Sequence, residues 1–179
     1  MTRRKVMIRF LSERAGLSMN GLPVLVQGGS GDRFAYENEA EEEERLEELL
    51  SAGEETPEVS EMLVEGRLIT TTHRVELVYE ELLSDIGPTI TKIGFDRAAP
   101  ELVTMLRSGA SSTALVFEDR RRHICVYNIP STGFEICIST AEVDNRLLTD
   151  GVLKLDYYME VHGVQTDHCR LEITVQDTD

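Results

Sequence analysis

The sequence predicts an all-β fold: an up-and-down antiparallel β-barrel of about ten strands, with one inserted acidic helix. Three observations predict it. From residue 62 onward, short runs alternate apolar and polar residues with period two. The connections "TTHR", "DRRR", "IPSTG" and Asp150-Gly151 are short and turn-like, which favours hairpins between sequence neighbours. Segment 14–60 departs from this pattern, and its composition is that of a loop followed by a helix. The 179 residues are enough for a full core and are read as one barrel domain over 1–179.

"RKVMIRFLSE" supplies the first strand. In the segment that follows, "QGGSGDR" reads as a flexible loop and lacks the lysine of a phosphate-binding loop. Asn38 can cap a helix over 39–52, and Gly53 suits its end. Leu46, Leu49 and Leu50 form a narrow apolar stripe, while Glu39–Glu43 and Glu44–Glu48 repel at i, i+4. Such a helix either docks its leucines or frays. It reads as a solvated decoration, a docking element for a basic partner, or a lid over the barrel mouth.

Seven runs then follow in order: "MLVEGRLIT", "RVELVYEEL", "TITKIGF", "LVTMLRS", "TALVFED", "HICVYNI" and "GFEICIST". The last two are the cleanest. "LKLDYYMEV" places Leu153, Leu155, Tyr157, Met159 and Val161 on one face, and "HCRLEITV" does the same with Cys169, Leu171, Ile173 and Val175. One dry and one wet face is the mark of antiparallel sheets, and closing them into a barrel removes exposed edges.

The net charge of -15 is concentrated: residues 37–61 hold twelve Glu and one Arg, a net of -11 that leaves -4 for the rest. An acidic surface repels phosphate backbones and anionic bilayers, so neither nucleic acid nor membrane is expected as a partner. "MTRRKVMIRFLSERAG" is broken by Arg9 and Glu13 and is no signal peptide, and no later run approaches the ~20 apolar residues of a span. A cytoplasmic protein is expected. Cys125, Cys137 and Cys169 then read as buried, reduced thiols, with a Cys125–Cys137 bridge across a hairpin as the alternative.

Arg107 shares parity with Val103 and Met105, so it points wherever they do. Inside a barrel its guanidinium needs a partner: an ion pair closing the barrel end, or a ligand carboxylate or phosphate held bidentately. Tyr79 and Glu81 share parity with Val75 and Leu77, making Glu81 the natural partner for Arg107. Tyr127 and Tyr157 also ride on apolar faces, as core residues or as hydroxyl donors into a cavity. No G-x-S-x-G, H-E-x-x-H or P-loop appears, and no third ligand joins His123 and Cys125. His162 and His168 flank a turn and make only a weak pair. No catalytic constellation, metal site or cofactor is expected.

"YEE" (79–81), "RSG" (107–109), "HICVYNIPSTG" (123–133), "IST" (138–140) and "LDYYMEV" (155–161) fall in an order that resembles the YwiB-like family of small bacterial proteins. The resemblance covers about Met62 to Val175 and implies a lipocalin-like (calycin) β-barrel of unassigned role. Segment 14–60 is far longer than the link usual there, and "NIPSTG" is one residue longer than a compact turn. By analogy with such barrels, the expected function is non-catalytic binding of a small apolar or amphipathic acidic ligand inside the barrel. That function requires that Met105, Phe117 and Leu155 leave a cavity. The alternative is a protein–protein interaction module that meets a basic surface through the acidic insertion, or a homo-oligomer.

Overall fold

Alternation of period two becomes ten antiparallel strands in a computed structural model that describes residues 1–16, 57–83, 87–109, 112–129, 132–161 and 164–178. At 82–83, 127–129, 132–134 and 164–166 only the backbone pairing is described. The strands are β1 (Thr2–Gly16), β2 (Glu58–Thr70), β3 (Arg74–Leu83), β4 (Gly87–Asp96) and β5 (Ala99–Ser108), then β6 (Ser112–Glu118), β7 (Arg122–Ile129), β8 (Thr132–Arg146), β9 (Val152–Val161) and β10 (Val164–Asp177). Each pairs with its neighbours in sequence, and β1 pairs with β10 to close the barrel. Odd strands end, and even strands begin, at one rim, called the upper end below. At the lower end Gly151 closes the expected turn with φ +72, where an added Cβ would lie 2.6 Å from the Val175 carbonyl oxygen.

Inward positions carry the core. Val6, Ile8 and Phe10 of β1 meet Leu68, Val75, Leu77, Ile93, Val103, Leu153 and Ile173 in one continuous apolar cluster. Met105, Phe117 and Leu155 belong to it and are 9%, 0% and 1% exposed. The middle of the barrel is therefore filled, so the cavity expected between these three residues is absent, which corrects the expectation of binding deep inside the barrel.

Three expectations need adjustment. The helix over 39–52 lies outside the described residues. The inserted segment is shorter at both ends than 14–60, because pairing continues through Arg14↔Glu58 and Gly16↔Asp167. Backbone ladders extended the strands where composition had suggested a loop. The eighth strand likewise runs past "IST" to Arg146, through a register shift between Thr140 and Glu142. That bulge inserts one residue, so Val143 takes the inward place that strict alternation would have given Glu142.

The Cys125–Cys137 bridge is excluded. Cys125 pairs with Ile136 and Cys137 with Ile124, a one-residue offset that points the two side chains to opposite faces. Cys125 joins the core, while Cys137 lies on the outside beneath the Arg122–Glu160 ion pair of 2.7 Å. All three cysteines are free and buried. Among the described residues no helix is long and apolar enough to cross a membrane.

The wall has two short seams. β6 and β7 pair only from Ser112 to Ala114, and β2 and β3 only where Gly66–Thr70 meets Tyr79–Val75. Gly66 has a steric role at the second seam. A Cβ there would press on the Ile8 side chain and lie 2.9 Å from the Val78 carbonyl oxygen. Its absence lets Phe10 reach Tyr79 past β2, with ring centroids 4.8 Å apart.

Candidate functional site

Going up the inside of β3 to β6, the residues change from apolar to polar at a single level. Val75 and Leu77 give way to Tyr79 and Glu81, Phe95 and Ile93 to Thr91 and Thr89, and Val103 and Met105 to Arg107. The strand register joins these polar residues in one row: Tyr79↔Thr91, Thr91↔Arg107, Arg107↔Thr113 and Thr113↔Tyr127. A polar belt thus lies directly on the apolar core, across the four strands β3 to β6.

Within the belt Arg107 Nη2 donates to Glu81 Oε2 at 2.8 Å, and the Thr91 hydroxyl donates to Glu81 Oε1 at 3.2 Å. Both carboxylate oxygens are therefore occupied. The Glu81 side chain is 11% exposed against 34% for Arg107, so the acid is the more buried partner and the guanidinium the more exposed one. Among the described residues Nε and Nη1 of Arg107 have no protein partner. Tyr79 lies beside Thr91 in the register, and burial, then the Glu81 charge, pushes its pKa far up. Tyr79 stays protonated and is a donor, not a base. Gly109 keeps the top of β5 close to β4, since a Cβ there would sit 2.8 Å from the Pro88 carbonyl oxygen and 2.9 Å from Thr89 Oγ1.

A second ion pair stands on another wall of the same end. Arg14 donates through Nε and Nη2 to the two oxygens of Asp167 at 2.7 and 3.0 Å. The pattern repeats, with a side chain 7% exposed for Asp167 and 56% for Arg14. Below it Tyr157 stands opposite Cys169 in the register and meets Phe117 edge-on, with ring centroids 4.9 Å apart. Burial, then the neighbouring Asp167, raises the Cys169 pKa, so the thiol is held unreactive.

The structure therefore brings Tyr79, Glu81 and Arg107 together and places the Tyr127 backbone in their row. Tyr157 belongs to the other wall. Sequence reasoning missed Thr89, Thr91 and Thr113, although parity with Ile93 and Phe95 marked the first two as inward. It missed Arg14, which had been assigned to the insertion, and Asp167, two residues before the inward Cys169. His123 bonds Glu118 at 2.8 Å and His168 bonds Asp156 at 2.7 Å, while His162 lies outside the described residues. No group of three metal-ligating side chains occurs among the described residues.

Two grooves lie in the wall, not along the barrel axis. One, of about 230 Å³, crosses the outside of β1, β10 and β9 between Leu11, Glu13, Lys154, Asp156, Arg170 and Glu172. The other, of about 550 Å³, opens at the β2–β3 seam between Glu65, Gly66, Val78, Tyr79 and Glu80.

Comparison with known proteins agrees with this architecture. The chain is similar to the crystal structure of the ywiB protein from Bacillus subtilis, with a TM-score of 0.61 over 97% of this chain and 93% of that one. At 15% identity this likeness concerns the fold alone. No curated protein sequence matches. Residues 45–173 match the family model described as Domain of unknown function (DUF1934), which spans most of the barrel strands. The chain belongs to this DUF1934, YwiB-like family, for which no function is assigned.

Proposed function

We propose that the protein binds a small acidic, amphipathic ligand without catalysis, at the upper end of a lipocalin-like barrel. The observation that carries this reading is Arg107. Its guanidinium is held by a buried carboxylate and is one-third exposed, with Nε and Nη1 unpartnered among the described residues. A planar guanidinium in that state presents donors suited to a carboxylate or phosphate group. Tyr79 and the Tyr127 backbone lie in the same register row as Arg107. The filled middle of the barrel limits the ligand to a short apolar part, because Met105 and Phe117 occupy the space beneath. Closure by next-neighbour hairpins supports the lipocalin-like reading, and three free buried thiols support a cytoplasmic setting.

Native mass spectrometry of gently purified protein tests the proposal. The expected result is a mass excess that disappears on denaturation. Arg107→Gln alone leaves Glu81 buried and unpaired, so the informative variant is the neutral pair Glu81→Gln/Arg107→Gln. Loss of a charge-assisted bond of about 1.5–3 kcal/mol should weaken retention by roughly 10- to 100-fold. A double variant that retains the ligand fully, or wild type that never carries one, counts against the reading.

A further inference from the structure

The seam between β2 and β3 leaves the barrel wall incomplete near its upper end. β3 pairs with β2 only from Val75 to Tyr79, and its continuation Glu80–Leu83 pairs with β4 alone. β2 continues upward from Glu65 to Glu58 with β1 on one side. On its other side, no described strand meets these eight residues. Their outward backbone N–H and C=O groups form an open edge, which is a ready template for one more strand.

The side chains along that edge specify what would fit. Parity with Leu68 turns Met62 and Val64 inward, and puts Val59, Glu61, Leu63 and Glu65 on the outside. Val59 and Leu63 are 59% and 64% exposed, which is unusual for large apolar residues in a strand. Glu80 stands on the outer face across the seam. Arg9 occupies Glu61 at 2.6 Å, whereas Glu65 and Glu80 have no cationic partner among the described residues. The groove of about 550 Å³ opens at this place, with Lys5 and Arg67 on its lower side and Glu65 and Glu80 toward the open edge.

We propose that the open edge of β2, Glu58–Glu65, docks an extended protein segment in which apolar and basic residues alternate. Main-chain bonds to β2 would supply the affinity. Apolar side chains would turn inward beside Met62 and Val64, and basic ones outward between Glu65 and Glu80. A second copy of the same edge suits poorly, since Glu58, Glu61 and Glu65 make the edge acidic and like charges brought across a strand pair destabilise it. This inference is independent of any ligand at Arg107.

The test uses the full chain and a fluorescein-labelled heptapeptide of alternating valine and lysine. A second peptide has the same sequence with alternate backbone amides N-methylated, which preserves charge and removes edge pairing. This control is needed because the glutamates of residues 38–55 attract any cation. The unmethylated peptide should bind at least tenfold more tightly, and its addition should shift the amide resonances of Glu58–Glu65 in NMR spectra. Glu65→Gln/Glu80→Gln, two exposed changes compatible with folding, should weaken it several-fold. Equal affinity of the two peptides, or amide shifts confined to other residues, would overturn the proposal.

Discussion

Thr140 shows how much a single inward position can reveal. It is 4% exposed and lies opposite Tyr157 in the register, and its hydroxyl has no hydrogen-bond partner among the described residues. A buried polar group left unpaired costs about 1–3 kcal/mol, so Thr140→Val should raise the unfolding free energy by roughly 1 kcal/mol or more. Thermal melting checks this: a higher Tm is expected, and a lower one would mean that the hydroxyl is bonded. The contrast with Arg107 is instructive. Parity alone predicted that Arg107 and Glu81 share a face, and they meet at 2.8 Å. Parity carried no information on how deep each sits, because depth depends on how high on the wall each strand ends.

Elements repeat that lesson. The alternating runs were legible wherever two faces differed in polarity, as in β9 and β10. They failed at "STAEVDNR", where the bulge changes which side Val143 occupies. β1 and β2 were truncated in the sequence reading because "ERAG" and "PEVS" do not look like strands. Their pairing partners, β10 for one and β1 for the other, hold them extended. The Arg14–Asp167 pair was lost with those ends. At the β2–β3 seam the decisive residue is Gly66. Gly66→Ala should destabilise the protein by about 1–3 kcal/mol through overpacking against Ile8 and the Val78 carbonyl. Urea unfolding measures the loss, and near-UV circular dichroism should report the disturbed Phe10–Tyr79 contact. An alanine variant as stable as wild type would show that Ile8 can move aside at no cost.

At the scale of the whole molecule, the described residues include five buried weak acids held in their neutral form. Burial raises the pKa of Cys125, Cys137, Cys169, Tyr79 and Tyr157. In the unfolded chain the thiols lose protons near ~8.5 and the phenols near ~10. Above those values the unfolded state binds fewer protons than the folded one, so stability falls as pH rises. The urea midpoint should stay level up to about pH 8 and then decline, more steeply beyond about pH 10. A midpoint that is flat through pH 10.5 would mean that these groups ionise as readily folded as unfolded.

Barrel closure also governs the order of events during synthesis. Val6–Gly16 of β1 pair with Asp177–Asp167 of β10, so the first strand to leave the ribosome is completed by the last. Contacts of that span are the slowest to form, since the intervening chain must first be confined. Until residue 177 emerges, one side of β1 stays unsatisfied, and the nascent chain is an open sheet rather than a barrel. A ribosome pause near the C-terminus would lengthen the window in which that sheet can join the wrong neighbour.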